Sequence, residues 1–351
     1  MAYTTINKPS LQFNTVTYTG NGTAIGSGGQ VITGIGFKPD WVWIKARSTT
    51  HSNRVFDAVR GVQLGLITNG TNADISMTEG LNSFNADGFT YGNHDSGNEL
   101  NTTYVAWNWL GANTTVSNTQ GSITSTVSAN TTSGFSIVSY TGTGSLATVG
   151  HGLGVAPKFI IIKNRTAVGN AWRCYQANLF ASNSASFIDL QSTSGVGSSA
   201  TVFNSTAPTS SVFTVNTNTE VNQSGQTFIA YCFAEVKGFS KFGSYTGNGS
   251  TDGTFVYTGF KPAMVIIKRY DGGAENWRIF DNKRIGYNPS NYLLYPSGSF
   301  TEDTTGSNID LLSNGFKLRE TSGANSANTF IYMAFAEQPL VGTNNVPATA
   351  R

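Results

Sequence analysis

Pro39-Asp-Trp-Val-Trp-Ile-Lys45 returns as Pro157-Lys-Phe-Ile-Ile-Ile-Lys163 and again as Pro262-Ala-Met-Val-Ile-Ile-Lys268. Each copy is a proline, one free position, four apolar residues and a lysine. Alternate side chains on a strand point to opposite faces, so Val42 and Ile44 share one face and Trp41 and Trp43 the other. Both faces are apolar in all three copies, which is the pattern of a central strand buried on two sides. Proline lacks a backbone donor and fits the first position of such a strand.

The pattern extends on either side. Upstream lie the turns Tyr18-Thr-Gly-Asn-Gly22, Tyr140-Thr-Gly-Thr-Gly144 and Tyr245-Thr-Gly-Asn-Gly249, whose Gly and Asn residues suit tight turns. Downstream, Arg54, Arg173 and Arg278 each precede a short apolar pair. Each unit closes on a threonine and an apolar strand: Thr103-Tyr-Val-Ala-Trp-Asn-Trp109, Thr227-Phe-Ile-Ala-Tyr-Cys-Phe233 and Thr329-Phe-Ile-Tyr-Met-Ala-Phe335. The units run over 13–111, 135–238 and 239–342, each the size of a domain. Residues 112–134 are rich in Thr, Ser, Asn and Gly and read as a linker. Residues 1–12 read as an N-terminal arm and 343–351 as a C-terminal tail. Short β-branched and aromatic runs between turns predict an all-β chain of three tandem β-sandwich, jelly-roll-like domains. With no spare residues between them, the second and third units are expected to be held more rigidly than the first and second.

Charged residues make up 11% of the chain and the formal net charge is +2, so there is no basic footprint for nucleic acid. No apolar run reaches the length of a membrane-spanning helix. The three histidines show no metal-ligand spacing, and no cofactor motif or nucleophile elbow occurs. No pair of carboxylates stands out for glycoside hydrolysis, so a polysaccharide depolymerase ranks low and the chain reads as non-enzymatic. Cys174 and Cys232 read as buried free thiols, since the sister units lack them. The nine repeat-shared residues Pro39, Lys45, Arg54, Pro157, Lys163, Arg173, Pro262, Lys268 and Arg278 read as structural. The lysines are expected to snorkel from the strand ends, and the arginines to stack and bridge carbonyls. Trp41, Trp43, Trp107 and Trp109 read as core. Candidate ligand contacts fall on expected loops instead: Tyr91, His94 and Asp95 in the first unit, and Tyr287, Tyr292 and Tyr295 in the third.

The opening Met-Ala-Tyr-Thr-Thr-Ile-Asn-Lys-Pro9, with Phe13-Asn-Thr-Val16, Tyr18–Gly22, Ile32–Lys45 and Asp57-Ala-Val-Arg-Gly61, resembles a recurrent domain of unassigned function in virion proteins of marine tailed phages. The resemblance is close over the first unit and carried by the shared motifs in the others. It implies a protein of the virion surface, a head decoration or short fibre, attached through its N-terminal part to capsid or tail proteins. A tail-associated adhesin for host cell-surface glycan is the alternative. Two oligomeric readings stay open: a homotrimer, as phage fibres use, or one chain whose three units stand in for a trimer.

Overall fold

The computed structural model describes residues 3–306, 308–342 and 347. The chain is all-β, with only short helical turns between its strands. Each repeat builds the same four-strand row. In the first, the order is opening strand Phe13–Thr19, closing strand Thr103–Trp109, Pro-to-Lys strand Trp41–Ala46 and arginine strand Arg54–Asp57. The second repeat sets Phe135–Thr141, Thr227–Phe233, Phe159–Asn164 and Arg173–Gln176 in that order, and the third Ser240–Thr246, Thr329–Pro339, Phe260–Arg269 and Arg278–Asp281. All neighbours are antiparallel and the registers coincide: Trp43 faces Trp107, Ile161 faces Tyr231, and Ile266 faces Met333. Pro39 and Pro157 precede their strands as expected. Pro262 instead lies inside its strand, where the pairing register shifts on both sides of it, because a bulge removes the need for a donor there.

The two apolar faces of the Pro-to-Lys strand serve different partners. Val42, Ile44 and Ala46 pack with Ile32, Leu81, Phe89 and Tyr91, which come from a second, three-stranded sheet of the same repeat. Ile160 and Ile162 do the same in the second repeat, against Val149, Phe213 and Val215. The opposite face carries Trp41, Trp43, Phe159, Ile161, Met264 and Ile266 into one cluster shared by all three repeats. At its centre the equivalent closing-strand residues Trp109, Phe233 and Phe335 touch one another, with ring centroids 5.5, 5.9 and 6.4 Å apart. Three equivalent rings in mutual contact mean that the three sheets converge on a common axis.

Two segments differ from their sequence reading. Residues 112–134 are not a free linker: Val116–Asn118 and Ser125–Asn130 pair beside Phe135–Thr141 and lengthen the sheet of the second repeat to eight strands. Alternation of Val and small polar residues suffices for an edge strand, and composition hid it. The described part of the arm is not a tail either. Tyr3 donates to Gly259 O at 2.6 Å, Ile6 enters the shared cluster, and the turn Pro9–Leu11 packs on the closing strand of the third repeat. The C-terminal tail, except Pro347, lies outside the described residues. The first repeat is bonded to both others, so the second and third do not form a closer pair apart from it.

Candidate functional site: the seams and a cavity beside the first repeat

Lys45, Lys163 and Lys268 are fully buried and do not snorkel. Each ammonium is caged by carbonyls of its own repeat and of the preceding one in a cycle. Lys45 donates to Ala46 O and His51 O at 2.8 Å and to Ser299 O of the third repeat at 3.2 Å. Lys163 donates to Asn170 O at 2.8 Å and Thr71 O of the first repeat at 3.5 Å. Lys268 donates to Glu275 O and, at 2.8 Å, to Thr193 O of the second repeat. Burial pushes each ammonium down to about 8. A carbonyl cage answers why an apolar strand ends on a lysine: a donor with three directions can tie two loops across a seam.

Other positions repeat the cycle. Two residues past each lysine, the carbonyls of Arg47, Arg165 and Tyr270 accept from Glu302, Asp74 and Val196 amides at 2.8, 2.8 and 3.0 Å. The residue before each repeat arginine also reaches back. Asn53 Nδ2 donates to Gly298 O at 2.9 Å, Trp172 Nε1 to Ile67 O at 2.8 Å, and Trp277 Nε1 to Asp189 O at 2.9 Å.

Beside the lysines, two seams hold a buried carboxylate–guanidinium pair, and at the third the matching positions carry none. Asp57 pairs with Arg60 at 2.5 Å and accepts from Tyr231 Oη of the second repeat at 2.7 Å. Arg60 continues to Asp74, which takes Arg165 at 2.9 Å. Asp281 pairs with Arg284 at 2.7 Å and accepts from Trp107 Nε1 of the first repeat at 3.0 Å. Arg284 continues to Glu302, which takes Arg47 at 2.8 Å. At the third seam the corresponding residues are Gln176, Leu179, Val196, Tyr270 and Met333. Every charge has been replaced together.

The repeat arginines, expected to stack and bridge carbonyls, pair with side-chain oxygens. Arg54 donates to Ser96 Oγ at 3.2 Å, Arg173 pairs with Glu220 and with Asp189 at 2.5 Å, and Arg278 pairs with Glu275 at 2.9 Å. Ser96 and Glu220 lie on the short helices Asp95–Asn98 and Thr219–Asn222, just ahead of the closing strands. Those turns carry residues the sequence reading missed. Buried Asn98, Asn222 and Asn325 clamp the upstream Gly turns, with side-chain oxygens accepting from Asn21 N at 2.7 Å, Thr143 N at 2.8 Å and Asn248 N at 3.3 Å. The turn tyrosines lock the same contact: Tyr18, Tyr140 and Tyr245 donate to Gly97, Val221 and Ala324 carbonyls at 2.8, 2.6 and 2.6 Å. An Asn placed four or five residues before the closing threonine was the available signal.

The six loop candidates are not gathered into one site. Tyr91 is no loop residue: it ends the strand Gly88–Tyr91, is fully buried against Phe56, and its hydroxyl sits 3.2 Å from Ser96 Oγ. His94 caps the short helix, accepting from Ser96 N at 3.2 Å, and its burial lowers its pKa. Asp95 lies exposed, 2.9 Å from His94 and 3.9 Å from His51. Tyr287 stands exposed. Tyr292 lies under the Arg47 guanidinium, 5.8 Å from ring centroid to charge. Tyr295 donates to Asp303 at 3.2 Å and meets Phe300 edge-on beside a cavity of about 450 Å³. Among the described residues no His, Cys, Asp and Glu cluster is arranged to hold a metal ion. Cys174 and Cys232 are both free and buried.

A larger cavity, about 510 Å³, opens between the first repeat and the 113–115 segment. Asp40 and Ser128 form its floor around Gly111, where a Cβ would lie 2.9 Å from Asp40 Cβ and 2.9 Å from Ser128 Oγ. Asp40 Oδ2 accepts from Gly111 N at 2.7 Å and Asn113 N at 3.2 Å, while Oδ1 is buried with no donor. Burial raises the pKa of Asp40 against those two amides. Asn82, Phe84 and Thr115 line the walls, and Lys38 stands at the edge.

The span 8–339 matches a family model described as a domain of unknown function, DUF7483. The chain belongs to the DUF7483 family. That one match runs through all three repeats. No curated protein and no solved structure matches it.

Proposed function

We propose that this chain is a non-enzymatic structural protein of a phage virion surface, a head decoration or short fibre, in which one chain substitutes for a trimer. Each repeat is read as one β-sandwich domain, and the three close into a ring. The observation that carries the reading is the cycle of seams around the Trp109, Phe233 and Phe335 rings. Closed cyclic contacts between equivalent surfaces are what a trimer has, and here they are spent within one chain. The three lysines whose pKa burial lowers each tie one of these seams. The phage resemblance of residues 1–61 and the low charge support a display scaffold. Attachment by a free N-terminal arm is not part of the proposal, since the described residues of 3–12 are docked on the third repeat.

Two measurements test this together. Light scattering on the purified chain is expected to return the mass of one chain, and a trimer would overturn the substitution. Antibody labelling of purified virions under the electron microscope is expected to decorate the particle surface. Virions that lack the chain would sink the virion assignment.

A further inference from the structure

We propose that the cavity between the first repeat and the 113–115 segment binds a hydroxyl-rich ring, one pyranose unit of a surface glycan. Its volume of about 510 Å³ lies in the range of small-molecule sites. Its lining carries neutral hydrogen-bonding groups, with Lys38 and Asp40 as its two charged residues. Asn82 lines the cavity with its Oδ1 accepting from Gln63 Nε2 at 2.9 Å, and Thr115 lies exposed. Phe84, half-buried, supplies one flat apolar wall. Sugars present vicinal hydroxyls around apolar ring faces, and such a mixture of amides, hydroxyls and one aromatic ring answers both. Beneath the walls, Asp40 Oδ1 is an acceptor without a donor, a cost that a buried polar group carries until something repays it.

Other ligand classes fit worse. A phosphate or nucleotide calls for converging cations or a helix terminus, and Lys38 is the one cation on the lining, with Asp40 opposing it. The site also belongs to the first repeat alone. Lys158 and Ala263 stand where Asp40 does, and the 113–115 wall has no counterpart between the second and third repeats. Asn113 holds that wall in a left-handed turn at φ 56°, a conformation Asn tolerates better than most residues.

Sugar binding goes beyond the scaffold reading and is measured on the isolated chain, so either can fail alone. Saturation-transfer NMR of the full chain with glucose, galactose, mannose, N-acetylglucosamine and glucuronate is the test. Transfer to at least one sugar is expected, lost in Thr114→Trp, which blocks the opening, and weakened roughly tenfold in Asn82→Ala. Phe300→Ala, beside the other cavity, is expected to leave it unchanged. If Thr114→Trp does not fold, Asn82→Ala decides. No transfer to any of the five sugars overturns the proposal. Transfer that survives both first-repeat variants, or that is lost in Phe300→Ala instead, overturns it as well.

Discussion

The third seam is an experiment the chain has already run on itself, and it predicts the energetics of the other two. Consider the seam between the first and second repeats. Replacing Arg60 by Leu, the residue found at the matching position 179, strips Asp57 of its 2.5 Å partner. Asp57 keeps the Val59 and Arg60 amides and the Tyr231 hydroxyl, but no cation. Breaking one half of a fully buried pair costs about 3–5 kcal/mol. Asp57→Gln leaves Arg60 buried with Asp74 alone and belongs to the same class. Tyr231→Met removes one hydrogen bond to a charged acceptor, worth about 1.5–3 kcal/mol. Summed, the three singles come to roughly 8–13 kcal/mol, comparable to the whole stability of a domain.

The triple replacement Asp57→Gln, Arg60→Leu, Tyr231→Met is expected to behave otherwise. It reproduces Gln176, Leu179 and Met333, a set that is buried and packed in the same chain. Asp74 retains Arg165 at 2.9 Å. Trading a buried ion pair for apolar residues of matching shape is near neutral or stabilising, so the triple is expected within about 2 kcal/mol of the parent. Urea unfolding reads this as a midpoint for Arg60→Leu well below the parent, and one for the triple close to it. A triple variant no more stable than Arg60→Leu alone would refute the idea that the seams are interchangeable solutions to one packing problem.

Three further outcomes follow from the same contacts. The buried lysines, held near 8 against an ordinary 10.5, leave the unfolded chain binding more protons between those values. Their contribution to stability is therefore flat below pH 8 and rises above it by up to about 1 kcal/mol per pH unit for each lysine, while the buried thiols and tyrosines, whose pKa values burial raises, act in the opposite direction as their unfolded counterparts ionise. Urea midpoints of the parent and of Lys163→Met from pH 7 to 9 test this, and the parent should gain on the variant by one lysine's share, about 1 kcal/mol per pH unit above pH 8. Asn222→Ala removes the clamp on the 140–144 turn and is expected to cost about 1–3 kcal/mol, with faster hydrogen exchange at the Thr143 amide. A native structure whose Thr143 exchange is unchanged would contradict that assignment. Cys174 and Cys232, fully buried with burial raising both thiol pKa values, should resist an aromatic disulfide reagent at pH 8 until urea unfolds the chain.

What the sequence could and could not say turns on a single ambiguity of strand parity. Trp41 and Val42 are equally apolar, and alternation shows only that both faces are covered, not by what. The individual strands and their threefold recurrence were legible because strand patterning depends on residues close in the chain, whereas the pairing of the opening and Pro-to-Lys strands with a closing strand far along the chain was not. The partner of the tryptophan face was not, because it lies on other repeats, and a sandwich core and an inter-repeat core select the same residue types. Yet the charge pattern held the answer. Asp57 with Arg60, and Asp281 with Arg284, stand three residues apart in two repeats, while Gln176 and Leu179 replace them in the second. Within isolated domains, a lost aspartate in one copy would be ordinary drift. It becomes meaningful only beside Trp107, Tyr231 and Met333, where the copy that faces Gln176 is the one that lacks a donor. Such matched loss across distant positions is expected of residues that share a seam. Tandem beads on a linker would give no reason for it.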